Sequence, residues 1–408
     1  MHKLRFTVIS NAPWTPTGYG QQTALFAPRL NKTSHEVGII STYGHQGTPI
    51  NWNGVQVFGS SFHPYAMDVM HGHSKTFKAD AVMTLLDLQV MEVSALMGTK
   101  WIPWFPVDHV TIPPIIMQNV AQSFHPITMS KHASGEMDRT GIDYSYIPCA
   151  IDTKVFKPYP MAEAREALKF PTDKFIIGMV AMNKGNPSRK AFHQNIAAFA
   201  ALKQKYGDCV LYLHTLDGVR GYETENLLEY CNALGLKYGY AFTESANTAD
   251  VIFADQYGLS LGYTPEMMAQ IYSSLDVHCG VTRGEGFGIP IVEAQACGCP
   301  VIVGDWTSMP ELVFSGWKVD KKDADPVFTQ LGAFQFIPRI SGIAEKLEQA
   351  YQMRGNQDYR KRAVDGAKAY DIEKVISKYW LPTLKKIEGL IANAPKNDNL
   401  SQNLSVLR

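Results

Sequence analysis

Arg283-Gly284-Glu285-Gly286-Phe287-Gly288-Ile289-Pro290-Ile291-Val292-Glu293 is the stretch whose reading decides the fold. Its glycines predict a loop over 283–288, and the apolar run from Ile289 to Cys297 predicts a helix opening just after it. Pro290 suits the first turn of that helix, where a missing N–H costs nothing. A predicted strand, Asp276-Val277-His278-Cys279, ends just upstream. Strand, glycine loop and helix N-terminus together bind a phosphate through free backbone N–H groups and the positive end of the helix dipole. Glu285 precedes the helix, and Glu293 lies about two turns into it. A phosphate held between two carboxylates suits a ligand with hydroxyls on both sides of its phosphates, as in a nucleotide sugar.

Outward from this stretch, strand and helix patterns alternate along the chain, which predicts α/β architecture with parallel sheets. Strands are expected at Leu4–Ser10, Val37–Ile40, Val55–Phe58, Ala81–Leu86, Trp101–Phe105 and Ile127–Met129, forming a Rossmann-like domain over residues 1–160. A second Rossmann-like domain is expected over 161–375. Its strands are Phe175–Val180, Val210–His214, Val251–Phe253, the one before Glu285, and Val301–Val303. Ala191–Tyr206 reads as its long helix. A last helix, Ile372–Ile391, carries Pro382 as an expected kink. Residues 393–408 read as a polar tail.

Composition agrees with this organisation. A chain of 408 residues exceeds what one core usually serves. Hydrophobic residues make up 45% and charged residues 19%, the values of an ordinary globular protein. No apolar run approaches the length of a membrane span, and the start, Met1-His2-Lys3-Leu4-Arg5-Phe6, has no signal-peptide pattern. The six cysteines have neither metal nor disulfide spacing, so a cytoplasmic location is expected. Net charge is zero, and residues 1–160 carry 11 Lys/Arg against 10 Asp/Glu. That balance argues against nucleic acid or a membrane surface as the main partner. A soluble saccharide, protein or small molecule fits better.

Glu285-x7-Glu293, then Ala294-Gln295-Ala296-Cys297-Gly298-Cys299-Pro300-Val301-Ile302 and Pro310-Glu311-Leu312-Val313, resembles the donor-site signature of retaining group 1 (family 4) glycosyltransferases. The resemblance implies the B fold: two Rossmann-like domains facing across a cleft, with a C-terminal helix crossing back. It implies a retaining glycosyltransferase that moves a sugar from an NDP-sugar to a soluble acceptor, with no metal or other cofactor. Glu285 would then hold donor-sugar hydroxyls and Glu293 the ribose. Backbone N–H groups of Gly286, Phe287 and Gly288 would hold phosphate. The connector Ile147–Pro158 is similar to the family's interdomain segment, with Cys149-Ala150 where the family has Asn-Gly. An epimerase or phosphorylase on the same fold, and a non-enzymatic nucleotide-sugar or glycan-binding module, are the alternatives.

Further candidates stand at predicted strand ends, where parallel sheets place ligands. Lys190 matches the family's diphosphate-binding lysine. The position of its arginine partner reads Met182-Asn183, which leaves Arg189 as substitute or the arginine absent; a solvated helix start is the plain alternative for both cations. Gly18-Tyr19-Gly20 resembles the family's N-terminal glycine loop. Asp108-His109 stands where many members carry a catalytic-site His followed by Asp, here in reversed order, so either residue is a candidate. Asp87 either reaches an acceptor or caps a helix, and Ser130-Lys131 either lines the cleft or caps the next helix. Asp323-Ala324-Asp325 lies in a polar run and reads as a surface loop rather than a metal motif. His71-Gly72-His73 lacks a third ligand at metal spacing.

Overall fold

A computed structural model describes residues 3–218 and 224–394. The expected polar tail, from residue 395 on, lies outside the described residues. Two parallel sheets face each other across a cleft. In the first, the spatial order is Ile50–Trp52, Val55–Phe58, Glu36–Ser41, Arg5–Ser10, Ala81–Leu85, Trp101–Phe105, Ile127–Thr128 and Ser145–Tyr146. Only the edge strand Ile50–Trp52 runs antiparallel to its neighbour. The central strand Arg5–Ser10 is buried on both faces. Phe6 and Val8 enter one core and Ile9 the other, the run expected of a parallel strand covered by helices on both sides.

The second sheet orders as Tyr238–Tyr240, Val251–Phe253, Cys209–His214, Phe175–Val180, Val277–Cys279, Val301–Gly304 and Gly316–Val319. In each sheet one central strand has its neighbours on opposite sides connected in opposite directions: Arg5–Ser10 in the first, Phe175–Val180 in the second. The connections leave a crevice at the carboxyl end of each such strand, where α/β sheets bind ligands. Both crevices open on the same cleft.

The C-terminal segment ties the two domains. Ile151 N–H donates to Tyr370 O at 3.0 Å and Ile372 N–H to Ile151 O at 2.9 Å. The Gln22 amide both accepts from Ala150 N–H and donates to Ala150 O, each at 2.8 Å, so Cys149-Ala150 still makes a fixed turn. Trp380 then stacks on Phe26 at 4.7 Å and meets Trp104 edge-on at 5.2 Å, inside the first domain's core. The single helix expected over 372–391 is divided. Ile372–Val375 leads into a wider π turn, Ile376–Trp380, and Leu381–Asn393 follows. Pro382 has no N–H to give and its ring crowds the preceding turn, so the backbone widens just before it.

Two further expectations are corrected. The glycine loop at 18–20 is helical: the helix runs Gly18–Leu30, because the Thr17 hydroxyl accepts from Gly20 N–H and starts it two residues after Thr15. The polar run around Asp323-Ala324-Asp325 leads into an antiparallel hairpin, Ala324–Phe328 with Phe334–Pro338, in which Asp325 pairs with Arg339 at 2.6 Å. Pro326 on an edge strand hid that hairpin from a pattern reading.

The aromatic dock makes a stability prediction. Trp380→Ala removes a fully buried ring from the Phe26–Trp104 stack and should destabilise the protein by about 3–5 kcal/mol. The denaturant midpoint measures this. A change within experimental error would mean that the C-terminal segment is held elsewhere.

Candidate functional site

Gly288 takes φ +107° and turns the chain into the helix Ile289–Ala296, with Pro290 in its first turn. The N–H groups of Gly286, Phe287 and Gly288 have no intramolecular acceptor among the described residues. The rest of the loop is pinned. Glu285 N–H donates to Thr307 Oγ1 at 3.0 Å, and the Ser308 hydroxyl lies 2.7 Å from the carbonyl oxygens of both Glu285 and Phe287. Two of its glycines meet the first domain directly. A Cβ on Gly284 would fall 2.1 Å from Asp108 O, and one on Gly286 would fall 2.2 Å from Pro106 Cβ. No larger residue lets the loop sit this close.

Across the cleft the helix Gly18–Leu30 presents its own N-terminus. Gly18 and Tyr19 line the cavity, whereas Gly20 is packed against Thr15. A Cβ on Gly18 would lie 3.3 Å from Ile289 Cδ1, so the two helix starts approach each other. The cavity between them encloses about 530 Å³, within the range of small-molecule sites.

A charge cluster closes one wall. Lys190 Nζ lies 2.6 Å from Glu285 Oε1. Arg189 reaches Glu285 Oε2 at 3.2 Å and Asp108 Oδ2 at 3.3 Å, which joins the second domain to the first. It also donates to Gly284 O. Asn183, near the family's arginine position, is instead a buried strut whose amide donates to Leu216 O and Glu225 O. At the far end of that loop, Arg189 is the guanidinium that reaches Glu285. Burial pushes the Glu285 carboxyl up, but the charges of Arg189 and Lys190 outweigh it and hold the group below the usual range. Lys190 gains less from the pair. Burial and the adjacent Arg189 lower its pKa more than Glu285 raises it.

Asp108 and Asp87 differ in the same cleft. Burial raises the Asp108 carboxyl, yet His109 at 2.6 Å and Arg189 bring it below its ordinary value. Asp87 is raised by burial and by the charge of Asp108, against which Tyr19 O–H at 2.9 Å only partly works. Asp87 starts a short turn without capping it, so its carboxylate faces the cavity. Of the pair 108–109, Asp108 lines the cavity and His109 stands behind it, its carbonyl accepting from His132 Nε2 at 2.7 Å. Ser130 caps its helix, and the Lys131 N–H donates to Glu311 of the second domain at 2.9 Å. His71 and His73 bond backbone carbonyls of Ala95 and Gly59.

Glu293 lies on the second turn of its helix, 4% exposed, and accepts from Tyr272 O–H at 2.8 Å. Burial raises its pKa to about 7, with the Tyr272 bond acting against the rise. His214 and Thr215, at the end of Cys209–His214, and Tyr263 also line the cavity. None of the three was singled out from sequence, although the strand-end position of His214 and Thr215 is the signal that finds them. Among the described residues, no group of three or more His, Cys, Asp or Glu side chains is placed to hold a metal ion. Nor is any helix among them long and apolar enough to cross a membrane.

Residues 175–333 match the family model described as glycosyl transferases group 1, and the resemblance read from the sequence is borne out over that stretch. The GDP-mannose-dependent alpha-(1-6)-phosphatidylinositol monomannoside mannosyltransferase of Mycolicibacterium smegmatis is 28% identical over 221 residues, 52% of this chain and 52% of that protein. The O-antigen chain mannosyltransferase B of Escherichia coli is 39% identical over 69 residues, 16% of this chain and 18% of that protein. The chain thus spans about half, or less, of the length of the curated relatives it matches. Sucrose-phosphate synthase from Thermosynechococcus elongatus superposes with a TM-score of 0.73 at 16% identity, over 96% of this chain and all of that one. Anabaena HepE, solved with UDP and glucose, superposes at 0.67 and 15% identity over 94% of this chain and 100% of that one. At such identities the likeness establishes the fold, the glycosyltransferase B fold.

Glu293 gives a prediction that needs no ligand. Its folded pKa lies above the unfolded value, so the folded state binds the proton more tightly. Its contribution to stability is full below the unfolded pKa and is lost as pH rises through about 7. Glu293→Gln should therefore gain about 2 kcal/mol more at pH 8 than at pH 5, relative to the parent. Urea unfolding at the two pH values decides it; an equal change at both would remove the buried-carboxylate account.

Proposed function

We propose that this chain, whose residues 175–333 match the group 1 glycosyl transferase family model, is a retaining, metal-independent glycosyltransferase that moves a sugar from an NDP-sugar to a soluble acceptor. The observation that carries the reading is the cluster of Lys190 and Arg189 on Glu285, beside unpaired N–H groups at a helix N-terminus. Cations and oriented N–H groups at one place suit a diphosphate leaving group, because they stabilise charge as it develops. Glu293, deeper along the same helix, is assigned the ribose hydroxyls, and Glu285 the hydroxyls of the donor sugar. The relatives' names support a nucleotide-sugar donor: one depends on GDP-mannose, and one fold neighbour was solved with UDP and glucose.

In the proposed reaction the acceptor hydroxyl attacks the anomeric carbon on the face from which the nucleotide leaves. A donor phosphate oxygen takes the acceptor proton, so no side-chain base is obligatory. Arg189 and Lys190 hold the departing diphosphate, and Tyr19, Asp87 and Asp108 line the cavity from the first domain. The direct test is a donor screen by mass spectrometry, scoring nucleotide release across UDP-, GDP-, ADP- and dTDP-sugars. Release from none of them, with any acceptor offered, would overturn the reading.

Glu285→Gln keeps shape but loses the charge that faces the reacting sugar. Turnover should fall about 100-fold or more while nucleotide affinity holds within a few-fold, the pattern of an interaction made in the transition state. The product should keep the donor's anomeric configuration in the proton NMR coupling. An inverted product would sink the retaining assignment, and a fully active variant would sink the role of Glu285.

Activity should survive EDTA, since Arg189, Lys190 and the helix N-terminus supply the positive charge that a divalent ion supplies elsewhere. Loss of turnover with chelator, restored by Mg²⁺ or Mn²⁺, would show that a metal is required.

A further inference from the structure

The loops that leave Arg5–Ser10 and Glu36–Ser41 lean on one another at the cleft's outer edge. Ala12 N–H donates to Tyr43 O at 2.9 Å, and Trp14 Nε1–H donates to Gly44 O at 2.8 Å. Gly44 takes φ +91°, and a Cβ there would fall 2.1 Å from Thr15 Cγ2, so the loops interlock. The Trp14 indole meets His45 edge-on at 5.7 Å and lies 6.5 Å from Trp52. Its polar atom is satisfied and its ring is held in place. Yet Trp14 stays 41% exposed and its neighbour Tyr43 61%. Two and three residues further on, Pro16 and Thr17 line the cavity itself.

The chemistry around these rings is unusual for a protein surface. No Asp, Glu, Lys or Arg occurs from residue 11 to 28 or from 37 to 67. Exposed Gln46, Thr48, Asn51 and Asn53 offer amide and hydroxyl groups instead. A fixed, exposed aromatic surface marks a binding site more often than chance exposure does. The face of an aromatic ring carries partial negative charge, which attracts the polarised C–H groups on one side of a sugar ring. The amides and hydroxyls around it match the sugar's hydroxyl rim. An anionic headgroup or a nucleic acid requires cations, and these two segments carry no Lys or Arg.

We propose that Trp14, Tyr43 and Trp52 form an acceptor subsite for an uncharged oligosaccharide, whose end runs past Pro16 into the cleft. This rests on the glycosyltransferase reading and narrows its soluble acceptor to a neutral glycan chain. A sugar stacked here is held by the first domain, on residues that do not line the cavity, and positions the acceptor end without touching the donor.

The test uses the full chain and four neutral probes: maltohexaose, cellohexaose, chitohexaose and α-1,6-mannohexaose. Binding is followed by tryptophan fluorescence and by saturation-transfer NMR. At least one probe should bind, Trp14→Ala should weaken it about tenfold or more, and Trp14→Phe should keep most of the affinity. Affinity for free nucleotide and the melting temperature should stay at parent values in both variants, separating lost stacking from lost folding. If no hexasaccharide binds, or if Trp14→Ala binds as the parent does, the proposal is overturned. Trp14-dependent binding to phosphatidylglycerol vesicles, with no hexasaccharide bound, overturns it in favour of a membrane. Absence of saccharide binding with intact nucleotide-sugar turnover removes the subsite alone. Saccharide binding without turnover of any NDP-sugar removes the transfer reading alone and leaves the subsite standing.

Discussion

Four buried or half-buried charges meet where the two domains touch, and the cleft depends on their neutrality. Arg189 and Lys190 come from the loop after Phe175–Val180, Glu285 from the glycine loop, and Asp108 from the opposite domain. Two cations against two carboxylates leave no net charge. Ions taken from water are costly unless each has a partner, and removing one strands another. The pairing therefore fixes the side chains and also the approach of the domains, since Arg189 bonds across the boundary. The tight fit of Gly284 and Gly286 against Asp108 and Pro106 is the steric half of the same constraint. A side chain at either glycine pushes the loop away and pulls Glu285 from Arg189.

Much of this was legible in the sequence because its signals are local. The strand, glycine loop and helix around Glu285 fall within a residue or two of their expected limits, since glycines, Pro290 and an apolar run mark each boundary without outside help. Trp101–Phe105, Phe175–Val180 and Val251–Phe253 were legible for a related reason: strands buried on both faces need unbroken apolar runs. What escaped depends on partners distant in the chain. The hairpin Ala324–Phe328 with Phe334–Pro338 is polar and carries a proline. It is anchored by Val110 of the other domain, whose N–H donates to Phe334 O at 2.8 Å. Gly18-Tyr19-Gly20 looked like a loop because two glycines disfavour a helix, and only the Thr17 cap reverses that. Which of Asp108 and His109 faces the cavity depends on the rotation of one loop, and no spacing encodes it.

The second domain also reaches over to brace the first through backbone atoms. Glu311 accepts from the N–H groups of Lys131 and His132 at 2.9 and 3.0 Å, capping a first-domain helix with a second-domain carboxylate. The hairpin pairs with Val110 close beside it, and His132 in turn supports the carbonyl of His109. The loop that carries Asp108 is thus held from outside its own strand at Val110 by the hairpin and at His109 O by His132. Asp108 draws on that support: burial raises its pKa, and the fixed His109 and Arg189 bring it below its ordinary value.

Neutrality of the cluster sets the terms on which the proposed donor enters. A diphosphate brings negative charge to a place whose two cations are already matched. It must take Lys190 and Arg189 in part from Glu285 and Asp108, with the free N–H groups at 286–288 offsetting what the carboxylates lose. Lys190 pairs with Glu285, whereas Arg189 pairs with both Glu285 and Asp108 and donates to Gly284 O, so fewer contacts break when a donor phosphate takes Lys190. Glu285 then loses one partner at the moment a sugar arrives with hydroxyls to offer it. In the proposed reaction one carboxylate therefore serves both as counter-ion to Lys190 and as sugar ligand.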